Sequence, residues 1–342
     1  PAYYVGALDP NVYIARPYAD ATTRMKAFIK YANAVPAAAQ QIKDNLKLPL
    51  PETYLKFGQA GFGGFADYFT GDAKAAFAEV KDPELQREFD VAAAAAAAAM
   101  KDLAGHIGSV PATKDGYALG AEKFAAMVSK TEGVNVSLDE LEAIGQADLK
   151  RNQAALAKAC AAFAPGASIV DCFAKMAANK PEKGPVQEAR DQLPPLREFL
   201  IEKDLVSIPG TEVAQVEESP PYNRQNSAYI DIPGPYEKGL NFLHANRAES
   251  IFGKLFVGYA FAEGWAHYTE EMMVEAGLHD GDPETKIGQL SNALLRNCRY
   301  LSAIGLHARG MTVEQSLDMF QKECYQDLGN ATQQAARGTY DP

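Results

Sequence analysis

The sequence predicts a mainly α-helical protein with a small β region around residues 205–240. Apolar residues recur at helical spacing through the first two hundred residues and again through the last hundred. Several of these stretches open with a Ser, Thr or Asp that can cap a helix. Residues 205–240 differ, because they carry short alternating β-branched runs separated by Pro and Gly, which is typical of short strands.

The N-terminal half is predicted to consist of helices separated by Pro and Gly. Helical spacing runs through Ala21–Val35 and Ala37–Leu46, and the sequence LPLPE at Leu48–Glu52 ends the second of these helices. Asp82 followed by Pro83 opens a further helix, which continues through a run of eight alanines. Core-compatible residues flank that run, so it indicates close helix packing.

Two other N-terminal motifs have structural interpretations. Ser137 and Glu140 form a predicted capping box for a helix that runs to about Phe163. The glycine-rich stretch Gly58–Phe65 lacks a preceding strand and a following Lys-Ser/Thr. It therefore predicts a turn or close backbone packing rather than a nucleotide site, and no organic cofactor is expected.

The strongest functional candidate is the stretch Phe261–Met273, which reads FAEGWAHYTEEMM and is predicted to belong to one long buried helix. At roughly 100° per residue, Glu263 and His267 lie about 40° apart around the helix. Glu270 returns to within about 20° of Glu263. Buried ionisable groups need partners or a function, so this stripe indicates a metal or acid–base site.

A structural interpretation of the same stripe stays open. A Glu and a His four residues apart commonly form a surface pair worth a few tenths of a kcal/mol. Glu270 and Glu271 would then mark the solvated end of the helix. His244 is a second candidate ligand, although a lone helical histidine is more often packed or exposed.

The C-terminal region is predicted to be helical as well. Asp282 and Pro283 open a helix that runs to about Ala303, and Gly305-Leu-His307 is predicted to end it. Thr312 and Gln315 form a predicted capping box for the next helix. A charged histidine is favoured at a helix C-terminus, so His307 has a good structural explanation. Arg299 could likewise be only the ion-pair partner of a carboxylate.

Composition excludes several classes of partner. The chain has 342 residues, 47% of them hydrophobic, which is enough for a substantial core. Its formal charge of −11, with Lys and Arg scattered along the sequence, argues against nucleic acid and anionic membranes as partners. No apolar run is long enough to span a bilayer.

The four cysteines form two local couples, Cys160 with Cys172 and Cys298 with Cys324. Two disulfides in an oxidising compartment and four buried thiols are both compatible with this arrangement. None of the cysteines has zinc-ligand spacing to another, so they are not expected to bind metal. Because Pro1 is not a start methionine, a signal peptide could have been removed before it.

The run FAEGWAHYTEEM, followed by GLHDGDPETKIGQLSNALLRNCRYLSAIGLHARGMT, resembles the bacterial family called domain of unknown function 885. Members of that family carry E-G-W-A-x-Y-x-E and then a capped helix that ends in G-[IL]-H. The N-terminal helices, the IPG and SPPY segment and the final GTYDP are similar too, so the resemblance covers essentially the whole chain.

The resemblance implies a multi-helical zinc metallohydrolase with a gluzincin-peptidase-like architecture, which acts on a peptide or small amide substrate. It assigns zinc binding to Glu263, and substrate or oxyanion binding to His307 with Arg299 orienting a carboxylate. Three protein ligands would leave a position on the zinc for an activated water.

The resemblance also implies which residues would support the zinc ligand. Glu270 would accept a hydrogen bond from the second ring nitrogen of a histidine that binds the zinc. Tyr268 and His267 would lie near the zinc ligands without binding the metal. His267 occupies the variable position of the motif. Relatives are often exported, so a periplasmic location is expected and a cytoplasmic one stays open.

One departure from the family pattern affects the zinc site directly. The H-E-x-x-P-G-H motif that supplies two histidines and a general-base glutamate is absent from the sequence. In the family it precedes the segment that begins here at Asn241. Either a segment is missing from the sequence between Leu240 and Asn241, or a natural deletion removed it. We favour the first explanation, because losing such a segment would leave the flanking helices without their packing partners.

The expected organisation is one compact unit with three regions. These are an N-terminal helical region at 1–204, a short-strand segment at 205–240 and a helical region at 241–342 that carries half of a site. An alternative function is a metal-free helical binding protein, or an inactive homologue, that inherited the architecture. Metal content and peptide turnover distinguish the two.

Overall fold

The computed structural model describes residues 2–15, 18–208, 210–211, 213–219 and 259–341. These residues are mainly α-helical, as the sequence predicts. Two compact units are present. The first is formed mainly by the described residues up to Gly116, and the second by residues 117–217 and 259–341.

The first unit consists mostly of helices that surround an aromatic core. Its elements are α1 (Ala2–Ala7), a 3-10 helix (Pro10–Tyr13), α2 (Ala21–Asn45), β1 (Leu50–Pro51), α3 (Glu52–Thr70), α4 (Asp72–Ala76), α5 (Pro83–Ser109) and β2 (Ala112–Thr113). Phe28 lies at the centre of the core, with ring centroids 5.4–5.7 Å from those of Phe69, Phe77 and Phe89. Alanines of the predicted poly-Ala helix are buried beside these rings, which confirms close helix packing.

Three local predictions for the first unit need correction or refinement. α2 is one continuous helix rather than two, because Pro36 lies inside it and buried residues on both sides pack into the same core. The glycine-rich stretch is helical, and a Cβ on Gly61 would lie 2.8 Å from a methyl group of Val5, so close packing rather than a turn is correct. The strands described are β1 and β2, which pair in parallel.

The predicted β region around 205–240 lies largely outside the described residues. The described residues from 205 to 219 contain no strand. The helix predicted from Asn241, together with His244 and the Leu240–Asn241 junction, also lies outside them.

The second unit contains the remaining described helices. They are α6 (Ala121–Glu132), α7 (Leu138–Phe163), α8 (Ile169–Ala178), α9 (Pro185–Glu202), α10 (Tyr259–Glu275), α11 (Pro283–Ala308), α12 (Val313–Lys322) and α13 (Leu328–Arg337). Disulfides join Cys160 to Cys172 and Cys298 to Cys324 inside the core of this unit. No helix among the described residues is long and apolar enough to cross a membrane.

Helix capping in the second unit follows the predicted residues. Ser137 accepts a hydrogen bond from the Glu140 backbone, and Thr312 and Gln315 form a complete capping box. Asp282 caps the first turn of α11. The predicted end of α11 was wrong, because Gly305 lies inside the helix, which ends at Ala308 and is followed by Gly310 with a φ of 71°. Met311 packs over Gly305 in place of a side chain.

Candidate functional site

Helices α10 and α11 place the predicted site residues on facing surfaces. The connection between the two helices is short, and Gly277 and Gly281 both adopt positive φ angles in it. His267 and Glu270 of α10 both contact Arg296 of α11, and Glu263 of α10 interacts electrostatically with Arg299, so the contacts run in an antiparallel order. Residues nearer the start of α10 therefore lie opposite residues nearer the end of α11.

Glu270 and Arg296 form a bidentate ion pair, which we call the closed pair. Both hydrogen bonds from the guanidinium to the carboxylate are 2.7 Å long. The two side chains are 33% and 29% exposed, so the pair is partly shielded from water. Its planar fork geometry is the arrangement in which Arg holds a carboxylate most firmly.

His267 accepts a hydrogen bond from Arg296. The distance from its Nδ1 to the Arg296 Nη1 is 3.3 Å, and an arginine can only donate. In the neutral ring the proton therefore resides on Nε2. Burial lowers the pKa of His267, as does Arg296, against the opposing effect of Glu270. His267 is thus held as a neutral hydrogen-bond donor, and this tautomer does not offer a lone pair on Nε2 to a metal.

Asp148 of α7 belongs to the same polar group. Its carboxylate accepts hydrogen bonds from Asn297 at 2.8 Å, Asn152 at 3.1 Å and Arg151 at 2.8 Å. Burial raises the pKa of Asp148, but the hydrogen bonds from Asn297 and Arg151 outweigh it and hold that pKa below its usual value. Arg151 also pairs with Glu271, so α7, α10 and α11 are linked by one polar network.

Glu263 and Arg299 form the next acid–arginine combination along α10 and α11, which we call the open pair. The antiparallel register brings them towards each other, and Glu263 opposes the lowering of the Arg299 pKa. Glu263 is exposed. Within the described part of the chain, no carboxylate forms an ion pair with Arg299. The open pair therefore differs from the closed pair in leaving an acid and a guanidinium unjoined.

Arg299 is held in place by an amide rather than by an acid. Its Nε donates to the Oε1 of Gln334 of α13 at 2.7 Å. Gln334 is buried, and its own Nε2 donates to Asn330. Burial lowers the pKa of Arg299 to about 10, and Arg337 and Arg296 act in the same direction. An anion at this position would relieve both effects.

His307 lies apart from this group and has the contacts of a structural histidine. Eight residues separate it from Arg299, which is about 12 Å along a helix axis. Its Nε2 donates to the Gly338 carbonyl at 2.8 Å, and its ring stacks on Phe124 with centroids 5.7 Å apart. Burial lowers the pKa of His307, against the Gly338 carbonyl and the Tyr117 backbone. Its predicted role in substrate binding stays a prediction.

The prediction that Phe261–Met273 belongs to a buried helix was wrong, because none of the described side chains of α10 from Glu263 to Glu275 is fully buried and two aromatic ones lie on its exposed surface. Trp265 and Tyr268 are 50% and 57% exposed, and their ring centroids are 5.7 Å apart. A contiguous exposed aromatic surface of this kind commonly marks a binding region. Tyr268 is predicted to support the site, and from this exposed position it can also contact a ligand directly.

Sequence reasoning missed four residues of this network, namely Arg296, Asp148, Asn297 and Gln334. Asn297 and Gln334 are 7% and 5% exposed, and each lies near buried apolar residues of its own helix, such as Leu294 and Ala331. Polar side chains at core-facing helical positions are therefore the signal that could have found them. The acid with which each arginine pairs depends on the register between two helices. The spacing of residues within one helix does not define that register.

The fold and this network define a mainly α-helical protein with a polar site between facing helices. The family model described as "Bacterial protein of unknown function (DUF885)" matches residues 7–243 and 238–342. The chain therefore belongs to this family. The two matched pieces meet at the place where the sequence analysis infers a missing segment, and that segment stays a prediction.

Two solved structures share the fold. One is titled a "putative lipoprotein of unknown function from Shewanella oneidensis", with a TM-score of 0.64 and 19% identity over 98% of this chain and 71% of that chain. The other is a "putative lipoprotein from Colwellia psychrerythraea", with a TM-score of 0.64 and 16% identity over 93% of this chain and 66% of that chain. No curated protein matches the chain.

Proposed function

We propose that this chain is part of an exported hydrolase that cleaves peptide or small amide bonds at the open pair. The observation that carries the proposal is the unjoined combination of Glu263 and Arg299 beside a closed pair of the same composition. Burial without an ion-pair partner among the described residues disfavours the charged form of Arg299, and ionisable groups held in this way are often functional.

The chemistry of the open pair suits a polarised amide. Arg299 can donate hydrogen bonds to an acceptor oxygen of the substrate. Gln334 accepts from Nε, and neither Nη group donates to another described residue. His267, held as an Nε2 donor, adds a neutral hydrogen-bond donor near the same helix surface. Glu263 adds an exposed carboxylate that is not paired with Arg299.

Zinc binding by Glu263 remains part of this proposal, with a restriction. Among the described residues, no group of three His, Cys, Asp or Glu side chains is placed to hold a metal ion. Glu263 is a suitable carboxylate ligand, but this part of the chain does not form a zinc site by itself. The proposal therefore gives its residues the tasks of binding and orienting the substrate.

Two observations support an exported location. Disulfides persist mainly in oxidising compartments, and the second unit contains two of them. The solved structures that share the fold carry titles that describe lipoproteins. Localisation can be tested by fractionating cells that express the complete natural gene and probing each fraction for the protein.

The function is tested with the complete natural protein. It is purified without added metal, its metal content is measured by mass spectrometry, and it is incubated with a diverse peptide library. We expect about one zinc per chain and cleavage at defined bonds. Absence of both would refute the hydrolase proposal.

The alternative function, a metal-free binding protein, has one specific observation in its favour. The exposed Trp265 and Tyr268 rings form an aromatic surface on the same helix as the open pair. A binding protein would retain intact peptides from the library without cleaving them. Recovery of bound, uncut peptides from a metal-free protein would therefore favour this alternative.

A further inference from the structure

Two arginines of the second unit whose charges act on Arg299, namely Arg296 and Arg337, are paired with carboxylates. Arg296 is joined to Glu270 by two hydrogen bonds of 2.7 Å. Arg337 is joined to Asp341, with nitrogen to oxygen distances of 2.7 and 2.8 Å. Arg299 differs from both, because its one hydrogen bond to the described residues goes to a neutral amide.

The orientation of Arg299 is fixed by a short chain of amides. Asn330 accepts from the Nε2 of Gln334, and this fixes the Gln334 Oε1 as the atom that accepts from Arg299. Because that contact uses only Nε, neither Nη group donates to another residue in the described part of the chain. A guanidinium presented in this way matches a carboxylate in a planar, bidentate geometry.

The surroundings of Arg299 favour an anion with at least one carboxylate group. Burial and the two neighbouring arginines disfavour the charged guanidinium, as its lowered pKa indicates. Glu263 and Asp341 oppose this effect, but neither forms an ion pair with Arg299 within the described part of the chain. A ligand carboxylate would supply a directly bonded negative charge and two acceptor oxygens.

We propose that Arg299, oriented by Gln334, is a carboxylate-binding residue that anchors a free carboxylate of the ligand. This inference deepens the proposed function, because it makes the substrate of the hydrolase a carboxylate-bearing peptide. The carboxylate can come from the C-terminus of the peptide or from an acidic side chain, and both present the same chemistry to the guanidinium. Binding at Arg299 requires neither zinc nor turnover.

The test is isothermal titration calorimetry with three alanine-based probes. The first is trialanine with a free C-terminus, the second is the same peptide as its C-terminal amide, and the third is an amidated and acetylated peptide with a central glutamate. We expect the amide to bind at least about tenfold more weakly than one of the two acids, because it lacks the charge-assisted bidentate pair. The acid that binds better identifies the source of the carboxylate.

Three variants connect this preference to Arg299. Arg299→Gln is expected to remove the preference for the acid, and Arg299→Lys to retain part of it, since Lys keeps the charge without the fork. Arg309→Gln is the matched control, because Arg309 lies just beyond the same helix and pairs with Asp139 and Glu142. Its affinities are expected to equal those of the unmodified chain.

Gln334→Glu provides a second route if Arg299→Gln fails to fold. A carboxylate at this position would form an ion pair with Arg299. We therefore expect an unchanged or higher melting temperature together with loss of the preference for the acid. Far-UV circular dichroism of each variant checks that the fold is intact.

Two results would overturn the inference. One is equal affinity of the unmodified chain for the amide and for both acids, and the other is an acid preference that survives in both Arg299→Gln and Gln334→Glu. Mass spectrometry of the peptides after titration shows whether cleavage occurred. An Arg299-dependent preference without cleavage or zinc would support this inference while the hydrolase proposal fails, and cleavage without any such preference would do the opposite.

Discussion

The contrast between the closed pair and the open pair makes a quantitative prediction. Glu270 and Arg296 make two short hydrogen bonds and are each about one-third exposed, with values of 33% and 29%. Exposed ion pairs contribute roughly 0.2–1 kcal/mol, whereas breaking a fully buried pair costs about 3–5 kcal/mol. We therefore expect a coupling free energy of about 1–2 kcal/mol for the closed pair. The open pair should give less than about 0.5 kcal/mol.

Two double-mutant cycles measure these coupling energies. One combines Glu270→Gln with Arg296→Gln, and the other combines Glu263→Gln with Arg299→Gln. Free energies of unfolding come from urea titrations followed by circular dichroism, provided that the transition is two-state. The cycle subtracts what each single substitution does by itself, so it isolates the interaction between the two side chains.

The exposed pair of Lys322 and Asp318 is a matched control, and it should show almost no coupling because both side chains are more than half exposed. Equal coupling energies for the closed pair and the open pair would refute the distinction on which the site is built. Strong coupling between Glu263 and Arg299 would mean that they close on each other in solution. The carboxylate-binding role of Arg299 would then lose its basis.

Three further predictions concern stability. Gly145→Ala should destabilise the chain by about 1–2 kcal/mol in urea unfolding, because its Cβ would lie 2.7 Å from ring atoms of Tyr300; Gly288→Ala, where a Cβ meets nothing within 4 Å, should stabilise slightly. Replacing Cys298 and Cys324 together by Ser should reduce the free energy of unfolding by about 3 kcal/mol, whereas no change would mean that the disulfide does not form. Because burial lowers the folded-state pKa of His307, its contribution to the stability of the folded state is present above about pH 6.5 and is lost as the pH falls below that value. His307→Gln should therefore flatten the pH dependence of the free energy of unfolding between about pH 7 and 5. An unchanged slope would contradict this.

Much of the helical framework could be predicted from the sequence because its signals are local. Asp82, Ser137, Asp282 and Thr312 all cap helices where predicted, since a capping side chain bonds to a backbone only two or three residues away. The end of α11 could not be predicted in this way. Gly305 stays helical because Met311 folds back over it, which is a tertiary contact.

The candidate site was predictable only in part, for a related reason. Spacing within one helix placed Glu263, His267 and Glu270 on a common stripe, and the contacts of His267 and Glu270 with Arg296 agree with it. Spacing could not show that Arg296 closes on Glu270 while Arg299 bonds to Gln334. Those choices depend on the register between helices, which is set by packing of the whole unit.

The role of the open pair is tested by the specificity constant of the complete natural protein for its best library peptide, with Glu263 intact and with Glu263 replaced. We expect Glu263→Gln to lower kcat/KM by at least about 100-fold, because the open pair would lose its acid. Glu275→Gln, at the exposed end of the same helix, should leave the constant within about twofold. A Glu263→Gln variant with the wild-type specificity constant would show that the substrate does not react at the open pair.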